Sequence, residues 1–265
     1  SPTTAPANID SEFSARPLSL VNDMDAGALK EKLSKCENIP LRSSAMVIGH
    51  RGAPLRYPEH TRESYIAAAN SGAGMLECDV TFTSDKALVC RHSQCDLHTS
   101  TDILDKPELA AKCSIPFTPA NPDDATPATV KCCTSDITLD EFKTLRGKMD
   151  GFDAMATTPQ AYMRAPEQGH ERRGTLMTHA ESIELFSALG VNMTPELKAA
   201  DVAMPYQGFS QADYAAALIK EYRAAGVPAN EVYPQSFNPA DVLYWIEHTP
   251  DFGHQAVMLD GRYTD

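Results

Sequence analysis

The chain has 265 residues, with 23 Lys plus Arg against 36 Asp plus Glu, a formal net charge of −13. Its content, 42 % hydrophobic and 22 % charged, is that of a folded globular chain and excludes wholesale disorder. The acidic balance disfavours nucleic acid and anionic membrane surfaces as partners, and no apolar run approaches the roughly 20 residues of a membrane-spanning helix.

The opening SPTTAPANID lacks the basic end and apolar stretch of an export signal and reads as a mature or trimmed start. Residues 1–15 are expected to form a polar tail, and 22–35 a short helix. Met46-Val47-Ile48-Gly49 reads as a buried strand running into a polar loop, His50-Arg51-Gly52. Thr61 to Ser71 is helical in composition, with Thr61 as N-cap, and Gly72 and Gly74 stop it. Met75 to Val80 is a second strand with acids embedded in it. Leu88 to His92 is a third, and the short link between them suggests a hairpin. Residues 93–135 carry five prolines and read as a long loop of the functional or disulfide-tied kind. Thr138 and Glu141 form a capping box that starts a helix. After an irregular stretch at 150–175, helices at 179–189, 214–225 and 240–247 alternate with strands at 191–198, 232–237 and 256–259. Pro195 implies an end or bend in the first of these strands. The alternation predicts a parallel α/β sheet.

Seven cysteines leave at least one unpaired within the chain, and there is no CxxC pattern of a zinc ribbon or redox site. Cys113, Cys132 and Cys133 lie in the Pro/Thr/Asp-rich segment, where cross-links gain most, which points to an oxidising compartment. Buried free thiols are the alternative.

Side chains two apart on a strand share a face, so Glu77 pairs with Asp79, and Glu196 with Lys198. Buried carboxylates on one face repel one another and resist desolvation, and a divalent cation is the simplest neutraliser. Three carboxylate donors without Cys or His suit Mg²⁺ or Ca²⁺ rather than Zn²⁺. The bland reading is a half-exposed strand face. His50 and His92 each lie at the C-terminal end of a predicted strand, as an acid/base pair would. Arg51 and Lys198 add fixed positive charge suited to a phosphoryl group, although they could equally pair with Glu77, Asp79 or Glu196.

The ordered set His50-Arg51-Gly52, Pro58-Glu59-His60-Thr61, Ser64, Glu77-Cys78-Asp79-Val80, Thr83, Asp85 and His92 resembles the glycerophosphodiester phosphodiesterase family. Thr194-Pro195-Glu196-Leu197-Lys198 resembles that family's later Glu-x-Lys strand, and Gln235-Ser236-Phe237 its next strand. The resemblance runs from about residue 46 to 260. It implies a TIM-type (β/α)₈ barrel with the site at the C-terminal ends of its strands. It also implies Glu77, Asp79 and Glu196 as metal ligands, His50 and His92 as general acid and base, Arg51 and Lys198 as phosphate ligands, and Glu59 as a support for the first loop. The implied reaction is hydrolysis of a small-molecule glycerophosphodiester to sn-glycerol 3-phosphate and an alcohol, with Ca²⁺ or Mg²⁺. The other readings are a lysophospholipase D or sphingomyelinase D-like enzyme on the same barrel, and an inactive binding protein.

Two departures stand out. The family has Asn where this chain has His60. The second is length. An extension at 1–45 and an elaborated loop at about 95–149 leave about 165 residues, enough for five or six βα units of the usual size. Six strands are counted, and the expectation is therefore a truncated or clipped barrel chain over 46–265. The cysteines place it outside the cytoplasm, secreted or periplasmic.

Overall fold

A computed structural model of the chain describes residues 16–37, 39, 42–164 and 173–262. The expected tail at 1–15 lies outside them. The helix expected over 22–35 is two shorter ones, Arg16–Asp23 and Ala28–Ser34, separated around Gly27.

The first strand, β1 (Ser44–Gly49), pairs in parallel with β2 (Ala73–Leu76), and the helix Arg62–Asn70 crosses between them. Thr61 caps that helix by accepting the Ser64 N–H, as its side-chain type predicts. The chain then continues into β3 (Asp79–Phe82), turns at Thr83–Lys86, and returns antiparallel as β4 (Leu88–Cys90). The hairpin reading of this link is therefore correct. Of the six strands counted in the sequence, this third one is antiparallel and does not serve as a βα unit.

The region after β4 departs most from the expectation of a loop. It holds short helices at Leu97–Ser100 and Pro107–Ala110, and a two-stranded hairpin of β5 (Ile115–Thr118) and β6 (Thr129–Lys131). The capping box at Thr138 and Glu141 forms, but its helix is a single turn, Leu139–Phe142. A second hairpin joins β7 (Arg146–Lys148) to β8 (Arg173–Thr175). Leu97, Ile103, Leu104, Leu109, Ile137, Phe142 and Leu145 form a core of their own here, closed by Val89 and Leu176. Disulfides Cys95–Cys133 and Cys113–Cys132 staple it.

Beyond the helix His179–Leu189, which ends on left-handed Gly190, come β9 (Asn192–Met193) and β10 (Glu196–Leu197). Pro195 separates them, with β9 in the sheet of β1 and β2 and β10 in the sheet of β3. Thr194, Glu196 and Lys198 donate in turn to the carbonyls of Leu76, Cys78 and Val80, so the missing proline N–H falls at a position that has no donor to supply to that neighbour. The end expected at Pro195 is present: β9 stops at Met193 and β10 starts at Glu196. The helices Gln211–Ala224 and Pro239–His248 flank β11 (Gln235–Ser236), and β12 (Val257–Met258) follows.

The parallel strands are thus β1, β2 and β9 in one sheet and β3, β10, β11 and β12 in another, with β4 antiparallel at the edge of the second. Among the described residues β1 and β12 each have one strand neighbour. Met46, Val47 and Ile48 are exposed, contrary to the expectation of a buried first strand. The main core lies between the other strands and the long helices. Tyr214 donates from its hydroxyl to the Val80 carbonyl (2.5 Å), and Trp245 from its indole N–H to the Ala215 carbonyl (3.0 Å), so each buried polar tip is satisfied.

Candidate active site

Sheet register assembles the acidic cluster. Glu196 stands abreast of Asp79 on one side and of Gln235 on the other, and Glu77 precedes Asp79 by two residues along the same extended run. One carboxylate oxygen from each of Glu77, Asp79 and Glu196 lies within 4.8 Å of the others, and all three side chains are buried. Burial pushes Glu77 up to about 7, and the neighbouring Asp79 charge pushes in the same direction. Burial also raises Asp79 to about 7 against the opposing pull of Lys198, Arg51 and His50. Glu196 moves upward for the same first reason, with the Asp79 charge adding to it. Three desolvated acids in contact are costly unless protons or a cation neutralise them.

Each carboxylate is held. Glu77 accepts from the Gln235 amide (3.0 Å) at one oxygen and from the Arg51 backbone N–H (3.0 Å) at the other, with His50 Nε2 at 3.6 Å from the latter. Glu196 takes the Lys198 ammonium at 2.7 Å. Asp79 Oδ2 meets His60 Nε2 at 3.0 Å, while Asp79 Oδ1 is buried with no hydrogen-bond partner. That orphaned oxygen, inside an all-oxygen donor set, fits a hard divalent cation. The other group of metal-capable atoms among the described residues, Cys95, Cys133 and Asp201, does not, because its two sulfurs are bonded to each other.

The histidine and arginine loop is set by backbone shape. Arg51 and Gly52 are both left-handed (φ 58° and 87°). A Cβ on Gly52 would fall 2.4 Å from the Ser64 hydroxyl. That hydroxyl accepts from Ala53 N–H (2.7 Å) and donates to the Arg51 carbonyl (3.2 Å), tying the loop to the first turn of the helix Arg62–Asn70. The Arg51 guanidinium then bridges, donating to Glu59 (3.0 Å) and to His92 Nε2 (2.6 Å). Burial, with the Arg51 and Lys198 charges, pushes His92 down to about 3, so its ring is neutral and Nε2 accepts. Burial raises Glu59, but the cationic groups around it, His60 when protonated, Arg91 and Arg51, outweigh that and hold it at about 2. His50 follows β1 and is mostly solvent-exposed beside Glu77. A cavity of about 320 Å³ opens next to Glu196 and Lys198, lined also by Met204, Phe237 and Asn238.

Of the eight residues singled out in the sequence, Glu77, Asp79 and Glu196 cluster, His50 and the Arg51 backbone meet Glu77, Lys198 meets Glu196, and His92 and Glu59 join through the Arg51 guanidinium. Sequence reasoning missed Arg91, which is fully buried and reaches Asp96 (3.3 Å), Ser100 (2.6 Å) and the Glu59 carbonyl (3.3 Å). Its signal was a charge set inside the apolar run before His92. Gln235 was read only as part of a strand, since its role depends on reaching across Glu196 to Glu77. His60, noted only as a departure, is also part of the site, and its φ of 53° explains the residue type. Asn and His are among the few non-glycine residues that accept left-handed backbone readily.

Comparison with known proteins agrees with this geometry. A curated protein of Arthroderma benhamiae named "Extracellular protein" is 40 % identical over 120 residues, which cover 43 % of this chain and 49 % of that one. "Probable glycerophosphodiester phosphodiesterase 1" of Mycobacterium tuberculosis is 44 % identical over 61 residues, 23 % of this chain and 22 % of that protein. The matches thus span about half or less of the length of these relatives. The fold is similar to that of a candidate glycerophosphoryl diester phosphodiesterase from Silicibacter pomeroyi, a TIM barrel, with a TM-score of 0.56 and 20 % identity over 82 % of this chain and 66 % of that one. The model of the glycerophosphoryl diester phosphodiesterase family matches residues 50–259, and the chain belongs to that family.

Proposed function

We propose that this protein hydrolyses glycerophosphodiesters to sn-glycerol 3-phosphate and an alcohol, using a divalent cation held by Glu77, Asp79 and Glu196. The observation that carries the proposal is the convergence of those three buried carboxylates with His50 beside Glu77 and the Arg51-bound His92 close by. The cation, Ca²⁺ or Mg²⁺ by its oxygen donors, would supply Lewis-acid polarisation of the phosphoryl group. The chain's own residues do the rest. Arg51 and Lys198 offer charge-assisted donors to the non-bridging phosphate oxygens. In taking them, the substrate draws the Arg51 guanidinium from His92 Nε2 and frees its lone pair. Neutral His92 then accepts the proton of the attacking group, either water or the neighbouring glycerol hydroxyl, and His50 donates one to the departing alkoxide; where the glycerol hydroxyl attacks, water opens the resulting cyclic phosphate in a second step. Glu59 holds Arg51 in place from the other side.

The catalytic unit in this reading begins near residue 46, and the segment at about 95–149 is an elaborated loop beside the site. The three disulfides fit an extracytoplasmic location, in keeping with the name of the Arthroderma relative. The test is release of glycerol 3-phosphate from glycerophosphocholine with and without EDTA. Turnover that requires Ca²⁺ or Mg²⁺ supports the proposal. Turnover that survives full chelation removes the metal from it, and hydrolysis of lysophosphatidylcholine alone would replace the substrate class.

A further inference from the structure

We propose that His60, backed by Tyr65, is a positioning residue that fixes Asp79 as a single-oxygen donor toward the divalent cation. The inference rests on the metal reading above and concerns one asymmetry within it. Of the two Asp79 carboxylate oxygens, Oδ2 is bonded to His60 Nε2 at 3.0 Å and Oδ1 is buried and unpartnered. An ionised carboxylate only accepts hydrogen bonds, so His60 Nε2 must carry the hydrogen. A neutral ring then has its lone pair on Nδ1, and the Tyr65 hydroxyl at 2.8 Å donates to it. The donors run in one direction, from Tyr65 to His60 to Asp79.

Neither member of the relay has room to turn. The His60 and Tyr65 side chains are fully buried, and Tyr65 stands edge-on to Phe186 at 4.7 Å between ring centres. The His60 N–H donates to the Arg51 carbonyl (3.1 Å), and the carbonyl of Glu59, just before it, accepts from Arg91. The Asp79 carboxylate is thereby held through Oδ2, which leaves Oδ1 as its oxygen without a protein partner. Outer partners of this kind commonly change metal affinity by about 10–100-fold when they are lost. A histidine that merely fills space would leave ion affinity untouched.

The test is calorimetric titration of the intact chain with Mg²⁺ or Ca²⁺ alone. His60→Gln keeps an amide donor at similar reach and should bind within about threefold of the parent, whereas His60→Leu should bind about 10–100-fold more weakly. Tyr65→Phe removes one oxygen from a core side chain, serves as the second variant should His60→Leu fail to fold, and should weaken binding in the same direction. ¹⁵N-histidine NMR of the parent should show the Nε2–H tautomer at His60, and Tyr65→Phe should mix the two tautomers. Parent-like ion affinity in both His60→Leu and Tyr65→Phe, or an Nδ1–H tautomer in the parent, would overturn the inference while leaving the metal site standing. A parent that binds neither ion would overturn both.

Discussion

The parallel sheet and the segment that interrupts it between β4 and β8 solve the same packing problem differently. The sheet buries long helices against Val80, Phe82, Leu197, Tyr214 and Trp245 in one continuous core. The interrupting segment has helices of one turn and hairpins whose strands are three or four residues long, and its smaller core is crossed by two disulfides. Short elements cannot bury enough apolar surface to offset their own ordering, so covalent links supply the difference. Chemistry follows the same division. The three acids and Lys198 stand on the sheet, where register fixes them. The inserted segment reaches the site at its very start, through Arg91 and through His92, which meets the Arg51 guanidinium.

The sharpest way to separate the two regions is to damage the site alone. Glu77→Gln keeps the shape of the side chain and one of its two acceptor oxygens, and should lower turnover of glycerophosphocholine by about a hundredfold or more while far-UV circular dichroism is unchanged. Near-parental turnover would remove Glu77 as a ligand. The next largest effect is on the joint between the regions. Arg91→Leu strands Asp96 as a buried acid without its cation and leaves Glu59 only Arg51, and should cost about 3–5 kcal/mol in urea unfolding.

Breaking the staple of the inserted segment should be milder and local. The double change Cys113→Ala and Cys132→Ala should remove about 2–4 kcal/mol from that segment and raise its hydrogen exchange over residues 97–145. Exchange in β2, β3 and β10 should stay at its parental level, and equal loss in both regions would show that they unfold as one.

The smallest effect sharpens the electrostatic side of the comparison. Glu77 and Asp79 titrate near 7 in the folded chain against ordinary values of 4.5 and 3.8, so between about pH 4 and 7 the folded state binds more protons than the unfolded one. Their stabilising contribution is complete below the lower values and is lost as pH rises through 7. A cation needs them ionised and reverses that loss. The rise in Tm on adding Mg²⁺ or Ca²⁺ should therefore be larger at about pH 8 than at about pH 5. An equal rise at both would place the ion elsewhere.

Much of the site was legible because a strand turns spacing into facing. Glu77 with Asp79 follows from a separation of two, and His50 and Arg51 from their place after an apolar run. What spacing cannot give is register between strands distant in sequence. Nothing local in the sequence puts Glu196 abreast of Asp79, or sends Gln235 to Glu77; only the resemblance to a known family joined the acids in advance. The interrupting segment was read as loop because its order comes from Cys95, Cys113, Cys132 and Cys133, and four cysteines allow several pairings. Arg91 was passed over because a buried arginine declares itself only when its partners Glu59 and Asp96 are in place.

Cys78, lodged between Glu77 and Asp79, is bonded to Cys90, two residues before His92. Glu77, Asp79 and His92 are therefore tied together by one covalent link at the open end of the β3–β4 hairpin. Material made in a reducing cytosol would have the right residues without that link. Recombinant preparation belongs in a secretory host, with thiol titration as the quality check before any assay.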